Sequence, residues 1–208
     1  MRVGVLALQG TFIEHIDLLQ QLGVEAPPIR LAHELDTLDG LVIPGGESTT
    51  MLRLMKGFGL IEPIRRMARQ GLPVWGTCAG MVLLARRVSN YKMETLGLMD
   101  LQVRRNAFGS QVDSFEMDLE MPPAGEELFH AVFIRAPLIE EAAAGVEILA
   151  CLPNGTIVAA RQGLLLACAF HPEFTRDLRF HSYFVSIVGH RLSQGPEDKA
   201  LRGGQLVS

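Results

Sequence analysis

Cysteine is scarce in this 208-residue chain: the three present, Cys78, Cys151 and Cys168, are too few and too far apart for a disulfide framework. None belongs to a CxxC pair, so there is no sign of a zinc site or a redox dithiol, and a reducing cytoplasm is the expected setting. Positive charge is not in excess either. With 19 Lys and Arg against 23 Asp and Glu the formal charge is −4, which argues against a surface that collects phosphate backbones. Apolar runs of the ~18 residues needed to span a bilayer are missing. The apolar start at residues 3–8 is too short for a signal-peptide core and lacks a cleavage-site pattern, so neither export nor membrane insertion is expected. Internal repeats and low-complexity inserts are also absent.

What is present is an alternation of short Val, Ile and Leu runs with segments of helical period, the pattern of parallel strands joined by crossover helices. Residues 2–8 read as a buried first strand stopped by Gln9-Gly10, and residues 12–22 as a helix with Phe12, Ile16, Leu19 and Leu22 on its inner face. A second strand at 41–43 breaks at Pro44-Gly45-Gly46, after which Ser48-Thr49-Thr50 can cap a helix carrying Met51, Leu54 and Met55. A third strand at 73–77 runs into Cys78 and a helix over 79–88. Beyond residue 97 the chain reads as β-rich, with strands at 98–103, 114–119, 132–135, 157–160 and 164–170, before a last helix at 177–192. The expectation is one α/β domain over 1–192, with a mostly parallel, mixed sheet between helices, and a flexible tail over 193–208.

The sharpest local signal is Gly76-Thr77-Cys78-Ala79-Gly80 between an apolar strand and a helix, which has the form of a nucleophile elbow. A side chain at either glycine would crowd the tight strand-to-helix turn, while the free N–H groups of a helix N-terminus favour a thiolate. A free cysteine is more often a small buried hydrophobe, and Cys151 and Cys168, which lack such a setting, read as core. Among six histidines, only His171 ends a strong strand. It is followed by Pro172 and Glu173, so the i and i+2 side chains of an extended segment share a side and the carboxylate can orient the imidazole. His15 and His33 fit helix or loop surfaces, His130 precedes a strand, and His181 and His190 lie in the last helix; all five read as solvated or partly packed.

In an open parallel sheet, ligands bind beyond the carboxyl ends of the strands, where Cys78 and His171 both fall. Pro44-Gly45-Gly46-Glu47-Ser48 suits an oxyanion hole, although a PGG turn alone is usually only a turn. Arg105, in a glycine-ended loop, and Arg135, at a strand end, can each anchor a carboxylate or form an ordinary surface ion pair.

The elbow together with His171-Pro172-Glu173 resembles the class I triad glutamine amidotransferases, whose order along the chain is Cys, His, Glu. The segments 4–10, 44–50, 105–109, 111–115 and 132–137 make the chain similar, over roughly residues 2–190, to the glutaminase subunits of pyridoxal 5′-phosphate synthases. The resemblance implies a flavodoxin-like three-layer sandwich and a Cys78 nucleophile, with His171 as base and acid and Glu173 as its orienter. It implies that Gly46, Glu47, Ser48, Arg105, Ile134 and Arg135 line a glutamine site, that Gly46 and Ala79 supply oxyanion donors, and that Gln9 lies near them. It further implies no metal or cofactor, L-glutamine as substrate, and a (β/α)8-barrel synthase partner in a large hetero-oligomer that takes up the ammonia and activates the glutaminase. Trp75 and Phe174 stand where Phe and Leu are common in such sequences, and the segment from Ser193 runs past the usual end. Rival expectations are a glutaminase serving imidazole glycerol phosphate synthesis, a noncatalytic module on the same fold, and a cysteine protease; the stretch 105–115 speaks against the first and the intact triad against the second. The glutamine-site arginines would have no task in the third.

Overall fold

The computed structural model describes residues 1–107 and 114–194. Phe108, Gly109, Gln111, Val112 and Asp113 of the motifs above, and the segment 195–208, lie outside the described residues. In chain order the elements are β1 (Val3–Leu6), α1 (Phe12–Gln21), β2 (Pro28–Ile29), β3 (Gly40–Ile43), α2 (Ser48–Gly57), α3 (Ile61–Arg69), β4 (Val74–Thr77), α4 (Ala79–Leu84) and β5 (Ala85–Val88). There follow β6 (Met99–Arg104), β7 (Ser114–Leu119), β8 (Phe129–Ile134), β9 (Leu138–Ala142), β10 (Glu147–Cys151), β11 (Ile157–Gln162), β12 (Leu165–Cys168) and α5 (Arg179–Ser193).

The main sheet has the order β2-β1-β3-β4-β12-β11-β9-β6-β5, with β10 also paired to β11, while β7 and β8 form a separate antiparallel ribbon. From β2 to β12 all neighbours are parallel; pairing turns antiparallel at β12–β11 and again along β11–β9–β6. Strands β1, β3 and β4 at the centre of the parallel half are buried at every residue, as strands covered on both faces are.

Strand β4 shows how the layers are assembled. Successive side chains of a strand point to opposite faces. Trp75 and Thr77 face α1 and α5: the Trp75 indole packs edge-on against His15, Phe180 and His181, and Thr77 lies 3.3 Å from His15. Gly76 faces α4, where a Cβ would come within 2.5 Å of the Gly80 backbone and 2.8 Å of Leu84. Helix α4 packs in turn on α2. Trp75 is thus the packing plate beneath the elbow, joined through Phe180 to the buried rings of Phe129, Phe133 and Phe170. Each such buried ring contributes roughly 1.5–3 kcal/mol.

Several sequence expectations need correction. The helix expected over 79–88 ends at Leu84, where Ala85 turns extended (φ −60°, ψ 151°) and 85–88 becomes edge strand β5. Arg86 and Arg87 there pair across strands with Asp100 and Glu141, a use of charge that suits an edge. Cys151 is exposed, because register shifts in β10 turn the consecutive Leu149 and Ala150 inward and leave the cysteine outside. His15 and His181 are fully buried. His130 lies within β8, exposed between Asp118 and Glu116 on the neighbouring strand.

Candidate active site

The reactive groups converge at the carboxyl ends of β4 and β12. Cys78 has φ 46° and ψ −103°, a left-handed conformation that a non-glycine residue holds only when its surroundings compel it. Its amide donates to the Cys168 carbonyl at 2.8 Å, and α4 begins at the next residue. Gly80 lets this turn close, since a Cβ there would collide with the Ile43 carbonyl oxygen. The Cys78 thiol lies 3.9 Å from the Ile134 carbonyl oxygen, within reach of a weak S–H contact.

His171 follows β12, and its amide donates to the Val132 carbonyl at 2.8 Å, which ties it to the β7–β8 ribbon. Its Nδ1 lies 2.7 Å from Glu173 Oε1. An ionised carboxylate only accepts hydrogen bonds, so Nδ1 carries the proton and Nε2 is left for the thiol. Burial opposes charge on the His171 ring, but hydrogen bonding to Cys78 and Glu173 outweighs it and raises the pKa to about 10. Burial likewise opposes charge on Glu173, yet the nearby His15 ring and the hydrogen bonds of His171 and Thr11 hold its carboxyl down at about 2. The pair therefore stabilises an imidazolium against a carboxylate in a dry setting. Gly45 makes room for it: a Cβ at that position would collide with the His171 ring.

The cleft in front of this pair measures about 330 Å³ and is lined by Cys78, Ala79 and His171 together with Gly46, Glu47, Ser48, Arg105, Ile134 and Arg135. All six residues expected to bind substrate thus share one cavity with Cys78, and Gln9 and Phe174 also border it. Glu47 caps α2, accepting from the amides of Thr49 and Thr50, while its own amide donates to Gln9 Oε1 at 2.8 Å. Burial notwithstanding, hydrogen bonds from the Thr49 hydroxyl and from Thr50 and the Thr49 amide hold its carboxyl at about 2. Arg105 Nη2 reaches Glu47 at 2.9 Å, and its guanidinium lies over the Tyr91 ring at 4.8 Å. Arg135 adopts φ 43° directly after β8. Among the described residues no group of three His, Cys, Asp or Glu is placed to hold a metal ion.

This cysteine, histidine and carboxylate on an α/β sheet are accompanied by similarity over most of the chain. A model of the SNO glutamine amidotransferase family matches residues 5–190. The chain belongs to that family. Among curated proteins it is 60% identical over 189 residues to pyridoxal 5′-phosphate synthase subunit PdxT of Moorella thermoacetica, covering 91% of this chain and all of that one. It is 48% identical to the PdxT protein of Thermotoga petrophila, covering 90% of this chain and all of the relative. A solved structure described as a glutamine amidotransferase superposes with a TM-score of 0.86 at 46% identity, covering 90% of this chain and 98% of that one. A chain of PurLQS from Thermotoga maritima, 14% identical with a TM-score of 0.64 over 89% of this chain and 97% of its own, shares the fold.

Around Cys78, His171 and Glu173 the structure adds residues that sequence pattern did not single out. Thr11 Oγ1 donates to Glu173 Oε1 at 2.6 Å. His15 Nε2 lies 3.4 Å from Glu173 Oε2, and His181 Nε2 lies 2.9 Å from His15 Nδ1. A signal for the two histidines was present: His15 falls in helical step with Phe12 and Leu19, and His181 with Phe184 and Val188, so both occupy the inner faces of their helices.

Proposed function

We propose that this chain hydrolyses L-glutamine to L-glutamate and ammonia and supplies the ammonia to a pyridoxal 5′-phosphate synthase. The observation that carries the reading is the Cys78 elbow opening into the same cleft as a His171 ring hydrogen-bonded to a buried Glu173, in a chain 60% identical to a PdxT protein over that protein's whole length.

The Cys78 thiolate attacks the side-chain amide carbon of glutamine, and the carbonyl oxygen becomes an oxyanion. The amides of Gly46 and Ala79, at the PGG turn and the start of α4, are the donors proposed to receive that negative charge, with Gln9 holding the turn through the Glu47 amide. Imidazolium His171 gives its Nε2 proton to the departing nitrogen, the C–N bond breaks, and a glutamyl thioester remains on Cys78 as ammonia leaves. His171, now neutral, takes a proton from water as the water attacks the thioester, and glutamate is released with the thiolate restored.

Arg105 and Arg135 are the groups proposed to bind the α-carboxylate of glutamine, and Glu47 the α-ammonium. The Glu47–Arg105 pair does not oppose this. With Glu47 45% exposed the pair is worth at most ~1 kcal/mol, so an incoming carboxylate can exchange with it at small cost. Ser48 and Ile134 complete the walls. The partner is proposed to be a (β/α)8-barrel synthase subunit in a large hetero-oligomer, working in the cytoplasm; no described helix is long and apolar enough to cross a membrane.

Glutamate release from glutamine, measured with and without a pyridoxal 5′-phosphate synthase barrel subunit, tests the proposal. Release that rises with the barrel and vanishes in Cys78→Ala supports it. Cys78-dependent release indifferent to the barrel would point to another synthase, and no release under either condition would sink the glutaminase reading.

A further inference from the structure

Behind Glu173 lies a buried polar cluster that the mechanism above does not use. Glu173 Oε1 is occupied by two donors, His171 Nδ1 at 2.7 Å and Thr11 Oγ1 at 2.6 Å. Oε2 is equally buried but receives no hydrogen bond of ordinary geometry; the polar group brought to it is His15 Nε2, at 3.4 Å. The same His15 nitrogen lies 3.3 Å from Thr77 Oγ1, and its other nitrogen lies 2.9 Å from His181 Nε2. The remaining nitrogen of His181, Nδ1, is buried without a partner.

That orphan nitrogen decides where the protons sit. Burial lowers the pKa of His15, with Glu173 pulling the other way, and burial holds His181 well below the ordinary histidine value, so both rings are neutral and each carries one N–H. If His15 held its proton on Nδ1, His181 would have to accept it at Nε2 and bury an unpaired N–H at Nδ1. His15 Nε2 would then turn a lone pair toward a carboxylate. Both are costly in a dry interior. The alternative leaves His181 donating from Nε2 to His15 Nδ1, and His15 donating from Nε2 toward Thr77 and Glu173 Oε2. Only an unpaired acceptor then remains, at His181 Nδ1.

We propose that His15, with its tautomer fixed by His181, is a positioning residue of the triad: its Nε2–H engages Glu173 Oε2 and locks the carboxylate rotamer that aims Oε1 at His171. This inference rests on the glutaminase reading. The groups facing Glu173 are Thr11 at the N-cap of α1, His15 from α1 and His171 from its own turn, with Thr77 of β4 and His181 of α5 in contact with His15 behind them. Glu14 acts on His15 from the same helix, and Cys168 feels the Glu173 charge from β12. None of them but His15 is a donor held against Oε2.

The test is the pH dependence of kcat and KM for glutamate release by wild type, His15→Leu, His15→Gln and His181→Phe, each in the presence of a pyridoxal 5′-phosphate synthase barrel subunit. His15→Leu fills the space without a donor and is expected to lower kcat about ten- to a hundredfold with KM little changed, as loss of an orienting partner does elsewhere. It should also move the acid limb of kcat to higher pH, because Glu173 becomes easier to protonate. In His15→Gln the amide nitrogen reaches the Nε2 position, and most of kcat and the original limb should return. His181→Phe, which keeps a ring against Trp75 but releases the His15 tautomer, should move the limb the same way by less, and serves if His15→Leu does not fold. An unshifted acid limb in these variants, or a kcat loss that glutamine at position 15 does not repair, would show a packing role only and overturn the inference. Wild type that releases no glutamate would instead remove the glutaminase reading on which it rests.

Discussion

The two sides of the His171 ring are built from the same kinds of residue and behave differently. In front lies an open cleft where Glu47 and Arg105 pair at 2.9 Å with Glu47 half in solvent. Behind lies a closed cluster of Thr11, His15, Thr77, Glu173 and His181, with the carboxylate and both histidine side chains out of solvent. In the cleft water screens each charge, so contacts are exchangeable and ligand can replace them. In the cluster nothing can substitute for a missing partner, so each hydrogen bond constrains its neighbours. Binding is thus assigned to the wet side and orientation to the dry side, and substitutions on the two sides should differ in kind.

The largest expected effect comes from the groups where the sides meet. Cys78→Ala should abolish thioester formation, and Glu173→Gln should cut kcat by about 10²–10⁴, both seen in glutamate release under saturating glutamine. Close behind is Gly45→Ala, whose methyl would occupy the space of the His171 ring. It should reduce kcat at least tenfold, and a Gly45→Ala protein with unaltered kcat would erase the boundary drawn between cleft and cluster. On the wet side, Arg105→Ala should raise KM by about tenfold, the effect of one lost charge-assisted bond, with kcat nearly constant; a fall confined to kcat would blur the comparison.

The dry side should announce itself in stability against pH. The folded-state pKa values of His15 and His181 lie below 6.5, so the stability they permit is present above that pH and is lost as it falls. Glu173, depressed from 4.5 to about 2, adds a loss over that lower interval. Chemical denaturation between pH 7 and 4 should therefore show stability falling with pH, and less steeply in His181→Phe. The smallest change in stability is expected from Glu47→Ala, which removes a helix cap worth about 1 kcal/mol, read as a modest drop in the thermal midpoint.

The parallel half of the fold was legible because its signals are local. Unbroken apolar runs mark β1, β3 and β4, and each is followed by a glycine or cysteine turn and a capped or amphipathic helix. The short β2, helix α3 and strands β9 and β10 were missed. Pro28–Ile29 has only two residues, and Leu138–Ala142 and Glu147–Cys151 carry exposed glutamates and a bulge that spoil alternation. The cleft residues were legible through motifs. The cluster was not, since a buried histidine and a solvated one look alike until a helix face is matched to what lies across the sheet. Only the stacking of α1 and α5 over Trp75 brings His15 and His181 together.

The two backbone anchors, Cys78 N–H on the Cys168 carbonyl and His171 N–H on the Val132 carbonyl, have a consequence in terms of chain length. Parallel pairing of β4 with β12 ends at Thr77 opposite Cys168, so Cys78 and His171 are each set by counting residues from one shared rung. An insertion between Thr77 and Gly80, or between Cys168 and Glu173, would rotate a reactive side chain out of the cleft however conservative its chemistry. The loop joining β10 to β11 lies outside both counts, so an insertion there would leave Cys78 and His171 in register.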